Sequence, residues 1–206
     1  MSSTDDNTSI DDGISIDDSV WTAHGAQIHG RVRIGRGSSV WTHAVIRAEA
    51  QEVRIGRISN IQDFVMLHVG YDDPVRIGDH CSITHHATVH GATVQDACLV
   101  GIGATLMDGV VIGRGSIVAG GAMVPEGKAF PPFAIIAGVP ARQIAERDSS
   151  RANRLNAWLY QRNAAAYRAG DHRAWHGPRF EAWRDALRAA VEADLDLAPG
   201  FDPDTL

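Results

Sequence analysis

The chain has little cysteine, no long apolar run and no basic face, and each shortage removes a class of protein. Cys81 and Cys98 are its only cysteines. They make no C-x-x-C pair and are too few for a disulfide scaffold, which fits a reducing compartment. No stretch reaches the roughly eighteen consecutive apolar residues of a membrane span, and the N-terminus lacks the basic and apolar regions of a secretory signal. The expectation is a cytoplasmic protein with no membrane partner. Residues 1–18 contain no Lys or Arg, whereas Asp5, Asp6, Asp11, Asp12, Asp17 and Asp18 supply the whole of the formal net charge of -6. The remainder is neutral, so no nucleic-acid partner is expected, and residues 1–13 read as an acidic, poorly ordered leader. At 206 residues there is room for one sizeable domain and an appendage.

What is present is a period of six. Aliphatic residues recur at Ile16, Ile28, Ile34, Val40 and Ile46, with Thr22 in the one weaker slot, then at Ile55, Ile61 and Leu67, then at Ile77, Ile83 and Val89. The series continues through Val94, Val100, Leu106, Ile112, Val118 and Val124. Four places after sixteen of these eighteen positions, all but Leu67 and Val124, stands a small residue: Val20, Ala26, Val32, Ser38, Ala44, Ala50, Ser59, Val65, Cys81, Ala87, Thr93, Cys98, Ala104, Val110, Ser116 and Ala122. A helix cannot keep a six-residue period on one face, and an ordinary strand has period two, so the pattern predicts a three-sided parallel β-solenoid over residues 14–145. Cys81 and Cys98 fall in equivalent inward slots of successive coils, as reduced core residues or, less economically, as a disulfide.

After Val124 the prolines Pro125, Pro131, Pro132 and Pro140 end the repeat. Residues 146–206 read as a helical extension. One helix carries Leu155, Trp158, Leu159 and Tyr160 and runs to Gly170; a second starts at Pro178 with Phe180, Trp183, Leu187 and Val191 on one face. Two placements are open for these helices, back along the prism or over its end, where unpaired backbone would invite stacking.

With three hexads to a coil, Ile46, Leu67 and Val89 return to the same wall. Arg47, His68 and His90, which follow them, therefore form a column on its outer face, with His29 below. His68 and His90 should stand close enough to share an ion. A zinc ion accepts three imidazoles and keeps a fourth position for water. His85 is the third candidate, but it lies in the preceding hexad on a different wall. The economical arrangement is a homotrimer in which a neighbouring subunit brings its His85 to the column. The plain alternative is a set of exposed wall histidines, the reading given to His24, His43, His80 and His86.

The segments Val45-Ile46-Arg47-Ala48-Glu49, Ser59-Asn60-Ile61-Gln62-Asp63, Leu67-His68 and His85-His86-Ala87-Thr88-Val89-His90-Gly91 are similar to those of gamma-class carbonic anhydrases, within the hexapeptide-repeat family. That resemblance implies a left-handed β-helix and trimeric assembly. It further implies metal ligands at His68, His85 and His90, with His85 donated across the interface. It matches Arg47 and Glu49 to an intersubunit arginine–acid pair, and Asn60 and Gln62 to polar groups near the metal-bound solvent. The implied activity is reversible hydration of carbon dioxide, with zinc, ferrous iron or cobalt at the site.

Two departures stand out. Glu49 replaces the usual Asp, and the glutamates that export protons in the most active members are missing: Ala50 occupies one place, and the loop after the first ligand is only Gly70-Tyr71-Asp72-Asp73-Pro74. The shorter-loop branch, which includes proteins named as transferases or a thioesterase, looks more like this chain. There a tyrosine from the C-terminal helix approaches the metal, which makes Tyr160, followed by Asn163 and Tyr167, the candidate here. Asp72, Asp73, Tyr160 or His86 would relay the proton. A metal-dependent acyl-CoA thioesterase, a hexapeptide acyltransferase and a non-enzymatic trimeric scaffold are the alternatives.

Overall fold

The computed structural model describes residues 13–206. Asp5, Asp6, Asp11 and Asp12 of the expected leader lie outside the described residues. The hexads become short parallel strands on three walls. The first wall stacks the register Gln27, Val45, Met66, Thr88, Thr105 and Met123. The second runs from Ser15–Ile16 up to Ala129–Phe130, and the third from Trp21–Thr22 up to Ala134–Gly138. The chain closes with an antiparallel strand, Ala141–Glu146, against Ala134–Gly138. The expected β-solenoid with a C-terminal helical extension is the observed architecture.

Aliphatic residues fill the prism: Ile46, Leu67 and Val89 stack in register and are fully buried. The small inward slots need one correction. Ala50 is exposed and Thr93 only half-buried; Val53 and Ala92 fill those two positions instead, and Val75 fills the one after Leu67, where counting forward lands on the exposed Tyr71. The slot lies two residues before each aliphatic position, because the turn is set by the strand it enters. Counting forward across an insertion therefore lands on the wrong residue. Cys81 and Cys98 are free, buried and stacked, each thiol 3.1 Å from a carbonyl, of Gln95 and Gly113 respectively.

Helix α1 (Ser150–Arg168) packs along the third wall. Its first turns are fixed by Asn153 Nδ2, which donates to Ala97 O (2.7 Å) and Ser116 O (3.2 Å). Its end is fixed at the bottom of the prism by Arg168, which donates to the carbonyls of Ser19 and Val20. Nineteen residues rise about 28 Å, and the helix packs on the strands of that wall from Trp21–Thr22 up to Ser82–Ile83. Helix α2 (Pro178–Glu192) packs on α1 through a second apolar cluster containing Trp158, Trp183, Leu187 and Val191.

Candidate metal centre

The first wall delivers the expected column. His29, Arg47, His68 and His90 are in register on successive coils, and the His68 and His90 rings lie 4.9 Å apart between centroids at 65°. Both are half-buried. His90 Nδ1 lies 2.7 Å from Asp108 Oδ1. That contact depends on Gly91: its φ is +54°, and a Cβ there would sit 2.1 Å from Asp108 Oδ1. Arg47 and Glu49 form an ion pair within the chain, and Glu49 Oε2 also lies 3.2 Å from His68 Nε2. Burial works against ionisation of Glu49, but its own backbone N–H, Arg47 and His68 together hold its pKa below the usual glutamate range.

His85 stands in the turn between the strands Ser82–Ile83 and Thr88–His90. Its Nδ1 lies 3.0 Å from Asp63 Oδ2. Among the described residues, no three His, Cys, Asp or Glu side chains of one chain gather closely enough to hold a metal ion.

The polar residues of the third wall belong to the His85 side. Gln62 Nε2 donates to Asn60 Oδ1 (2.8 Å), Asn60 Nδ2 donates to Ser82 Oγ (3.0 Å), and Asn156 of α1 donates to the same hydroxyl (2.8 Å). Asn60 and Gln62 are buried. Tyr160 packs against Trp41 and Trp175 and feels the Asp63 charge; burial, then Asp63 and Tyr167, pushes its phenol up to about 12. Tyr167 packs on Trp21 and Trp41. One chain therefore carries two separate half-sites: Arg47, Glu49, His68, His90 and Asp108 on the first wall, and Asp63, His85, Asn60, Gln62 and Tyr160 around the corner.

The donor chemistry fits a metal ion. His85 and His90 each have Nδ1 against a carboxylate, which leaves Nε2 as the ligand atom, the arrangement by which outer carboxylates orient metal-binding imidazoles. Asp63 and Asp108 did not emerge as site residues from the sequence. Asp63 precedes His85 by the interval that separates His68 from His90, a signal that register counting could have used. Among the other expected groups, His86 is exposed and stacked on Phe64, and Asp73 lies beside Gly91 and Asp108. His80 departs from expectation: it is buried beneath Trp158, since α1 covers its corner.

A three-walled repeat solenoid with paired wall histidines defines the class of protein. No family model matches the chain. It is 50% identical over 128 residues to a probable carbonic anhydrase of Methanocaldococcus jannaschii, covering 62% of this chain and 80% of that protein. It is 38% identical over 90 residues to gamma carbonic anhydrase 2, mitochondrial, of Arabidopsis thaliana, covering 41% of this chain but about a third (32%) of that longer protein. Among solved structures, a proposed acetyltransferase of Bacillus cereus superposes with a TM-score of 0.73 at 29% identity, over 75% of this chain and 91% of that one. The chain belongs to the gamma carbonic anhydrase-like family of hexapeptide-repeat proteins.

Proposed function

We propose that this protein interconverts carbon dioxide and bicarbonate in a cleft between two subunits of a homotrimer, His68 and His90 coming from one chain and His85 from the next. The observation that carries this reading is the separation of the two half-sites: a histidine pair on the first wall, and a third histidine with its own orienting carboxylate at the corner where the third wall meets the first. A zinc ion, or ferrous iron or cobalt, held by these three imidazoles would supply Lewis acidity that lowers the pKa of a coordinated water to about 7.

The chain's own residues orient and exclude. Asp108 and Asp63 fix the tautomer and ring angle of His90 and His85. Asn60 holds the Gln62 amide through its NH₂ group, leaving Gln62 Oε1 to accept a hydrogen bond from the attacking hydroxyl or to position substrate. Tyr160, with its raised pKa, is a neutral phenol at neutral pH and serves as a hydrogen-bond donor rather than a base. Among the relay groups Asp73 lies beside Gly91, which follows His90. With no glutamate in that loop, proton export is the slow step.

The test is metal content and carbon dioxide hydration measured on one purified sample. Hydration above background that disappears in His90→Ala supports the reading. A metal-loaded trimer without hydration, also after reduction or iron replacement, sinks it. The likeness to a proposed acetyltransferase favours a second reading, in which the same cleft attacks the carbonyl of an acyl thioester. Hydrolysis of an acyl-CoA panel without hydration would select it. An intact cellular phenotype in a trimeric His68→Ala variant would instead favour a scaffold.

A further inference from the structure

The corner between the second and third walls carries a column of left-handed residues, including Ile58, His80 and Ala97 at φ of +53°, +55° and +55°. Residues other than glycine are strained in that conformation and persist where packing over-determines them. Here α1 and the segment Asp196–Phe201 fold over the corner and form a half-open cleft of about 230 Å³. Ile58, Trp158 and Phe201 give it apolar walls, His80 lies between, and Arg36 and Arg57 stand at the rim.

The charges of this cleft do not balance. Arg57 is held by Asp79 through Nε and Nη2, and Asp196 is engaged by Arg154 and Trp158. Arg36 is exposed and has no ion pair among the described residues; Asp17, whose charge it influences, is already engaged by Ser19. His80 is 7% exposed, and its buried Nε2 lacks a hydrogen-bond partner among the described residues. Buried polar atoms are rarely left so, and each exception calls for a specific cause. A concave site that sets apolar walls beside a few convergent polar groups is the usual form of a small-molecule site, and this half-open cleft has both.

We propose that this cleft, remote from the histidine column, binds a small monocarboxylate with a flat apolar body. The ring rests against the wall formed by Trp158, Ile58 and Phe201, and the carboxylate takes a charge-assisted bond from Arg36 and accepts from His80 Nε2. Burial keeps the His80 ring neutral, so one ring nitrogen carries hydrogen without adding a buried charge.

The probe is benzoate, titrated calorimetrically into the full-length protein, with benzyl alcohol as the uncharged ring and acetate as the charge without a ring. Saturable benzoate binding is expected, with both controls about tenfold weaker or worse. Arg36→Ala, an exposed position, and His80→Phe, which keeps a ring, should each weaken benzoate about tenfold. His90→Ala should leave it unchanged. Benzoate that does not saturate, equal binding of benzyl alcohol, or binding indifferent to Arg36→Ala overturns the proposal. So does loss of binding in His90→Ala, which would place the anion at the metal centre.

Discussion

At the scale of single residues, the least conspicuous group in the candidate metal centre is Asp108, which faces His90 Nδ1, the ring nitrogen that a metal ion held by Nε2 would not use. An amide in its place keeps the shape but loses the charge that makes the imidazole a better donor. Asp108→Asn should lower metal affinity by about 10–100-fold with assembly unchanged, as read by competitive metal titration and gel filtration. Equal affinity in the variant would reduce Asp108 to a packing role. His80 makes a different residue-scale prediction. Burial lowers its pKa, the nearby Arg154 and Arg57 add to that, and Asp196 and Asp79 oppose it. Below pH 6.5 the unfolded chain therefore binds a proton that the folded chain resists, so His80 lowers stability as pH falls and has no effect once both states are neutral. Urea denaturation at about pH 5 and pH 7.5 should show a smaller acid loss for His80→Gln than for the parent. An identical loss would mean that other groups carry the acid sensitivity.

At the scale of elements, each coil must satisfy the carbonyl that its corner leaves behind. Ser38 donates to Gly56 O, Ser59 to Gly78 O, Cys81 to Gln95 O, Cys98 to Gly113 O and Ser116 to Pro131 O. The cysteines are thus members of a serine ladder as well as core filler, and burial raises both thiols, Cys98 to about 12, so they stay protonated donors. Cys98→Ser should cost under about 1 kcal/mol, whereas Cys98→Val, of similar shape but without a donor, should cost about 1–3 kcal/mol in a chemical denaturation curve. Equal costs would show that the carbonyl contact contributes nothing. The ladder also explains what could be read in the chain beforehand. A six-residue period survives insertions because each strand re-enters the prism in register, so the His68 and His90 column followed from counting. The small slot at Ala50 did not, because the inserted residues leave the wall before Val53 returns to it. Asp108 reaches His90 by way of a shortened turn, where Val89 pairs with Leu106, and the burial of His80 comes from a helix far along the chain. Both are tertiary outcomes with no local signal.

At the scale of the molecule, the two half-sites set a requirement on assembly. A chain that lacks His85 keeps its own column, and a chain that lacks His90 keeps its own corner. Neither alone can complete a three-histidine site in a homotrimer if the corner histidine is supplied by a neighbour. Mixed in equal amounts, unfolded and reassembled, the two variants should form mixed trimers in about three quarters of cases by random association, each with one complete interface of three. Hydration activity and bound metal should then recover together to about a quarter of the parent level. If His85 instead served the column of its own chain, every site in every mixed trimer would lack one ligand, and mixing would restore nothing. The recovered fraction therefore distinguishes a site made by the assembly from one made by the fold, and it does so without requiring either variant to be active.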